Sequence, residues 1–173
     1  MANVTIFAAP EGVLLLTPGD FIQPEMPPTA LLLNLRGGRM SSGAVVQLWD
    51  DRSNEHNHWR MNPCWVNNCF TIQSVTSGLF LCVPEGNPEL GTRPVLRALP
   101  LDVDMSFGWE VQQHDARDTY AIMNLASLTF LNVAGGRMEY GNKVHMWDNP
   151  GYDDSQWRFE APIAISNGDL LEF

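Results

Sequence analysis

Between residues 44 and 50, AVVQLWD, apolar and polar positions alternate with a period of two, so the segment reads as a short, half-buried strand. Val46 and Leu48 share the inward parity, and Val45, Gln47 and Trp49 then point outward, because successive strand residues face opposite sides. The stretch KVHMW, 143 to 147, repeats the pattern with Val144 and Met146 inward and Lys143, His145 and Trp147 outward. A lysine on that face places it in water. Upstream, CFTIQSVTSGLFLCV (69 to 83) and TYAIMNLASLTFLNV (119 to 133) each read as strand, turn and strand. DFIQPEMPPTALLLNL (20 to 35) takes the same place nearer the start, with prolines in its turn. A glycine-rich bend, a short alternating strand, a polar loop and a last strand entered at a tryptophan then follow. No segment keeps a helical period over several turns, so the chain is expected to be all-β.

The pattern recurs because the sequence does. Residues 33 to 61 lie over residues 131 to 159 without a gap. Leu33 matches Leu131, Asn34 matches Asn132, and the two GGRM blocks coincide. Gly43 matches Gly141, Val46 matches Val144, the pairs Trp49-Asp50 and Trp147-Asp148 align, and both segments close on Trp-Arg, at Trp59 and Trp157. A more diverged copy lies midway, from 80 to 111, with Cys82 at the Asn34 position, Gly91 at the Gly43 position and Trp109 closing it. Three units, spanning about 19–63, 69–112 and 117–161, predict a closed threefold object made as a single domain over 1–173. Closure into a barrel would remove exposed strand edges.

Composition narrows the class. A chain of 173 residues with 45% apolar and 17% charged residues suits one globular domain. A formal charge of −10 argues against nucleic acid or an anionic membrane surface as partner. The apolar start is broken by Pro10, Glu11 and Pro18 and lacks a basic lead, so no signal peptide or membrane insertion is expected and the cytoplasm is the default location. Three cysteines, Cys64, Cys69 and Cys82, without a metal-like spacing suit a reducing compartment, with a Cys64–Cys69 bridge open in an oxidising one. The sequon Asn3-Val4-Thr5 matters only to a secreted chain.

Three units with a VQLW-type strand and a closing NHWRM or SQWRF resemble the β-trefoil of ricin B-type lectins, built from "QxW" repeats, over about residues 19 to 161. The tails, 1–18 and 162–173, fall outside the resemblance. The closing motif departs from pattern, with Asn57 and Ser155 where the family has glutamine. The resemblance implies a carbohydrate-binding module without catalysis, each unit offering one sugar pocket. Carried over residue by residue, the group ahead of the bend falls at Asn34 and Asn132, where the family's usual aspartate is absent. The strand polar group and aromatic platform fall at Gln47 with Trp49 and at His145 with Trp147. The loop groups fall near His56 and Asn57, and near Asp154 and Ser155. An indole face suits the C–H patch of a pyranose, and amide or imidazole groups suit its hydroxyls. Asp50, Asp148, Asp153 or Asp154 are alternative sources of the missing carboxylate.

The middle unit has Arg97 for the platform, Val95 for Gln47 and Cys82 for Asn34, so it is expected not to bind. Trp59, Trp109 and Trp157 are expected in the core. The expected activity is therefore that of a lectin for glycans of the galactose or N-acetylgalactosamine type, in the manner of fungal cytoplasmic defence lectins, with no cofactor and no metal. The His56-Asn57-His58 cluster resembles a zinc site only superficially. The alternative is a trefoil that inhibits a protease or docks another protein through its 24–28 and 84–100 loops. The apolar tails AAPEGVLLL and APIAI are candidate homodimer faces.

Overall fold

The computed structural model describes residues 13–18, 31–50, 54–64, 69–102, 104–113, 119–151 and 153–160. Among them lie twelve strands: β1 (Val13–Pro18), β2 (Leu32–Leu35), β3 (Val46–Trp49), β4 (Trp59–Pro63), β5 (Cys69–Ser74), β6 (Phe80–Cys82), β7 (Val95–Arg97), β8 (Trp109–Gln113), β9 (Tyr120–Asn124), β10 (Phe130–Val133), β11 (Val144–Trp147) and β12 (Gln156–Glu160). Short 3-10 turns are the other regular elements described.

Strand pairing closes on itself. β1 pairs with β4, β4 with β5, β5 with β8, β8 with β9, β9 with β12, and β12 returns to β1, every step antiparallel. Three hairpins, β2–β3, β6–β7 and β10–β11, complete a β-trefoil. In this fold the six-stranded ring leaves no free edge on its own strands. One expectation is corrected here. A strand of the first unit lies at Val13–Pro18, inside the stretch read as a tail; residues 19–30, where the sequence reading set the opening strand, lie outside the described residues. The ring needs a strand that reaches both Trp59–Arg60 and Trp157–Glu160, and the VLLLTP run supplies that backbone. Part of the AAPEGVLLL segment is thus built into the barrel; residues 8–12 and the whole of APIAI lie outside the described residues.

The hairpins meet in a cyclic arrangement. Gly43 N–H donates to the Leu96 carbonyl, Gly91 N–H to that of Met146, and Gly141 N–H to that of Leu48, each at 2.8 Å. Leu96, Met146 and Leu48 return a bond to Ala44, Thr92 and Asn142. Each unit therefore grips the next, and the third grips the first. The three glycines hold φ of +85°, +87° and +74°, a left-handed backbone that side chains with a Cβ resist. This is why the glycine persists in all three copies while its neighbours drift.

Inward parity builds the core. Val46, Leu48, Leu96, Val144 and Met146 are fully buried together with Trp59, Trp109 and Trp157. Each closing indole donates its N–H to a carbonyl on the hairpin of its own unit: Leu33 at 2.9 Å, Leu81 at 3.0 Å and Leu131 at 2.9 Å. The tryptophan thus fills space and satisfies its one polar atom at once. Cys64 and Cys69 are joined as a disulfide, and Cys82 is a free, buried thiol.

Candidate functional site

Register places the expected groups opposite one another. Asn34 faces Gln47 across β2–β3, Asn132 faces His145 across β10–β11, and Cys82 faces Val95 across β6–β7. In the first unit Gln47 Nε2 donates to Asn34 Oδ1 (3.1 Å), and Asn34 Nδ2 donates to Asn57 Oδ1 (2.7 Å). In the third, Asn132 Nδ2 donates to Ser155 Oγ (3.0 Å), and Asn132 Oδ1 meets His145 Nε2 at 2.7 Å. The same relay, from hairpin strand to its neighbour to the 3-10 turn, is built twice with different side chains.

The third-unit relay fixes its own protons. Ser155 Oγ–H is committed to the Asn149 carbonyl at 2.8 Å, so that oxygen accepts from Asn132. Asn132 must then turn Oδ1 to His145, and His145 must donate from Nε2. Burial holds the His145 imidazolium below its usual range; Asp154 opposes that shift, and Arg93 and Lys143 reinforce it. In the neutral ring Nδ1 is left as an acceptor on the side of Gly91. Burial also raises the Asp154 carboxyl, while Asn132 and His145 draw it back down; its Oδ1 is buried with no hydrogen-bond partner.

Two expectations shift. Parity placed Gln47 on the outer face with Trp49, yet Gln47 is only 7% exposed. The third unit's bend covers it, with Gly141 against its Oε1 and a backbone bridge from Gln47 to Lys143. Asn57 and Ser155, expected to reach into a pocket, are fully buried and instead anchor Asn34 and Asn132. His56 is not joined to that relay; its ring lies over Gly38, whose missing side chain makes the room. The tryptophans keep the expected side. Trp49 is 38% exposed and Trp147 half-buried. Trp147 stacks on His145 with centroids 5.2 Å apart and planes at 15°, while Trp49 meets Tyr140 of the third unit at 5.7 Å.

The middle unit is built otherwise. Arg97, at the platform position, donates from Nη1 to Glu85 Oε1 at 3.1 Å. Glu85 sits where the other units have the first glycine of their pair and takes φ +53° to do so. Cys82 is buried, and burial pushes its thiol up to about 11. Residues that sequence reasoning did not single out, Arg93, Arg137 and Tyr140, line a cleft beside His145 together with Lys143. They come from different units, and nothing in a linear pattern joins them.

No protein-family model and no curated protein sequence matches the chain. Solved structures do. The designed threefold-symmetric protein ThreeFoil superposes with a TM-score of 0.75 at 17% identity, over 86% of this chain and 98% of ThreeFoil. The Rhizoctonia solani agglutinin gives 0.72 at 18%, over 88% and 96%. The Polyporus squamosus lectin, solved with the epitope Neu5Acα2-6Galβ1-4GlcNAc, gives 0.66 at 17%, over 86% of this chain and 48% of the lectin. The shared fold is the β-trefoil. At these identities the likeness is one of fold.

Proposed function

We propose that the protein is a carbohydrate-binding lectin of the ricin B type, non-catalytic, with sugar sites at Trp49 and at Trp147 for galactose or N-acetylgalactosamine-type glycans. One observation carries the reading. An accessible tryptophan beside a hydrogen-bonded Asn relay recurs in the first and third units, and the middle unit replaces both parts with the Arg97–Glu85 pair and Cys82. The likeness in fold to an agglutinin and a glycan-bound lectin supports it. Because Gln47, Asn57 and Ser155 are buried, the sugar's polar contacts fall to His145 and Asp154 in the third unit. Two sites on one rigid chain would cross-link glycans and gain avidity. A cytoplasmic defence role, and a homodimer through the tails, belong to the same proposal.

A glycan array tests it, followed by titration of Trp49→Ala and Trp147→Ala. Each variant should lose one site or weaken it about tenfold, since an aromatic platform contributes on the order of 1 kcal/mol beyond its area. Absence of any glycan binding by the wild type at millimolar concentration would end the lectin reading. A protein-docking trefoil is the second reading, favoured by the exposed Leu90, Leu99 and Leu101 in and beside the 84–100 loop.

A further inference from the structure

The seam between the middle and third units holds a cleft of about 560 Å³, walled in part by Arg93, Arg137, Tyr140, Lys143 and His145. The chain carries 20 acidic residues against 10 basic ones, so a basic side chain would ordinarily find a carboxylate nearby. Among the described residues Arg93, Arg137 and Lys143 have no ion-pair partner. Glu139 also borders the cleft, one carboxylate against three cations, and pairs with none of them.

The Arg93 guanidinium is held in place, and so is the backbone that carries the other two cations. Arg93 Nη2 donates to the Val46 carbonyl of the first unit at 2.7 Å, while its Nε–H is buried without an acceptor. Arg36 stands close enough to oppose its charge. Asn142 clamps the bend that carries Arg137 and Lys143, donating from Nδ2 to the carbonyls of Ala134 and Arg137. Like charges gathered at one cleft without a counter-ion repel one another, and a bound anion relieves that repulsion. Tyr140 borders the same cleft and its ring meets that of Trp49, and His145 borders the cleft while stacking on Trp147.

We infer that this cleft is an anion subsite that extends the third-unit sugar site, taking the carboxylate or sulfate of an acidic glycan while a neighbouring ring rests against Tyr140 or the His145–Trp147 stack. The inference rests on the carbohydrate-binding reading. A guanidinium meets a planar carboxylate or a sulfate with two parallel N–H donors, and Lys143 adds a point charge. The net charge of −10 repels an extended polyanion such as nucleic acid, whereas one small anionic group senses chiefly the local cations.

The test compares matched sugars. Neutral oligosaccharides ending in galactose, N-acetylgalactosamine or N-acetylglucosamine are arrayed beside their sulfated and sialylated counterparts, and hits are titrated at low and high salt. The wild type should bind an acidic member about tenfold more tightly than its neutral counterpart, the advantage shrinking as salt screens it. Which arm shows the gain, sulfate or carboxylate, identifies the group. Arg137→Ala/Lys143→Ala should abolish the advantage and leave neutral binding unchanged. Equal affinity for neutral and acidic members, or a preference that survives the double variant, overturns the subsite while leaving the lectin reading standing. If no member of either series binds, the lectin reading falls and the subsite with it.

Discussion

Replacing Trp157 with alanine is the sharpest test of the opposite roles given to the two sets of tryptophans. The indole is fully buried among the other closing tryptophans and the hairpin residues of the core. It covers on the order of 200 Å², which at about 25 cal/mol per Å² is worth about 5 kcal/mol as an upper figure. Alanine retains a little of that area, and the surroundings collapse in part. Against this, the Leu131 carbonyl loses the donor it now has at 2.9 Å, about 1 kcal/mol more. The expected loss is therefore about 3–5 kcal/mol, the range for large-to-small changes in a core. A domain is stable by only about 5–15 kcal/mol, so the variant should be barely folded at room temperature or have a Tm lowered by roughly 6–20 °C. Trp49→Ala is the reference. Its ring is 38% exposed and its aromatic contact is with Tyr140 at the surface, so it should cost about 1 kcal/mol. Guanidinium unfolding at constant m-value measures both. Equal losses from the two variants would refute the inward and outward assignment and the threefold core built on it.

Other outcomes follow from single positions. Gly86→Ala should cost about 1–3 kcal/mol more than Gly43→Ala; both have left-handed φ, but a Cβ at Gly86 would stand 2.7 Å from that of Ala126, while Gly43 faces open space. Equal denaturation midpoints for the two would contradict it. The Cys82 thiol, pushed up to about 11 by burial, should resist alkylation at pH 8 until the protein unfolds, and stability should fall as pH rises above the unfolded value of 9.0 because the unfolded chain ionises first. Labelling of native protein at the rate of a free cysteine would be inconsistent with that burial. For His145, whose folded value is depressed, the unfolded ring takes up its proton first as pH drops. Its contribution is present above about pH 6.5 and lost below, so the Tm of the wild type should fall more between pH 7 and 5 than that of His145→Gln. Asp154, with a raised value, acts in the opposite sense, because the folded chain takes up that proton first as pH falls. Parallel Tm profiles for the two proteins would remove His145 from this role.

Much of the molecule is legible in its residues, because strand parity and repetition are local properties. The gapless match of 33–61 with 131–159 implies equivalent units, and Asn34 opposite Gln47 and Asn132 opposite His145 follow from hairpin register. The burial of Val46, Leu48, Val144 and Met146 follows from alternation, and that of Trp59, Trp109 and Trp157 from their place at the end of each repeat. What lies over a face is a different matter. Parity put Gln47 on the outer side of its hairpin, but the bend at Gly141, nearly a hundred residues away in sequence, covers it. The VLLLTP run lacks alternation and stands apart from the rest of its unit, so only ring closure reveals it as a barrel strand. The Arg93, Arg137 and Lys143 cleft exists only because each unit's glycine bends onto the next unit's strand. Sequence alone determined the three units and the inward side of each strand, since both depend on neighbours along the chain. The tertiary structure decided which outward groups remain accessible and which cations converge, since both depend on neighbours across the seams.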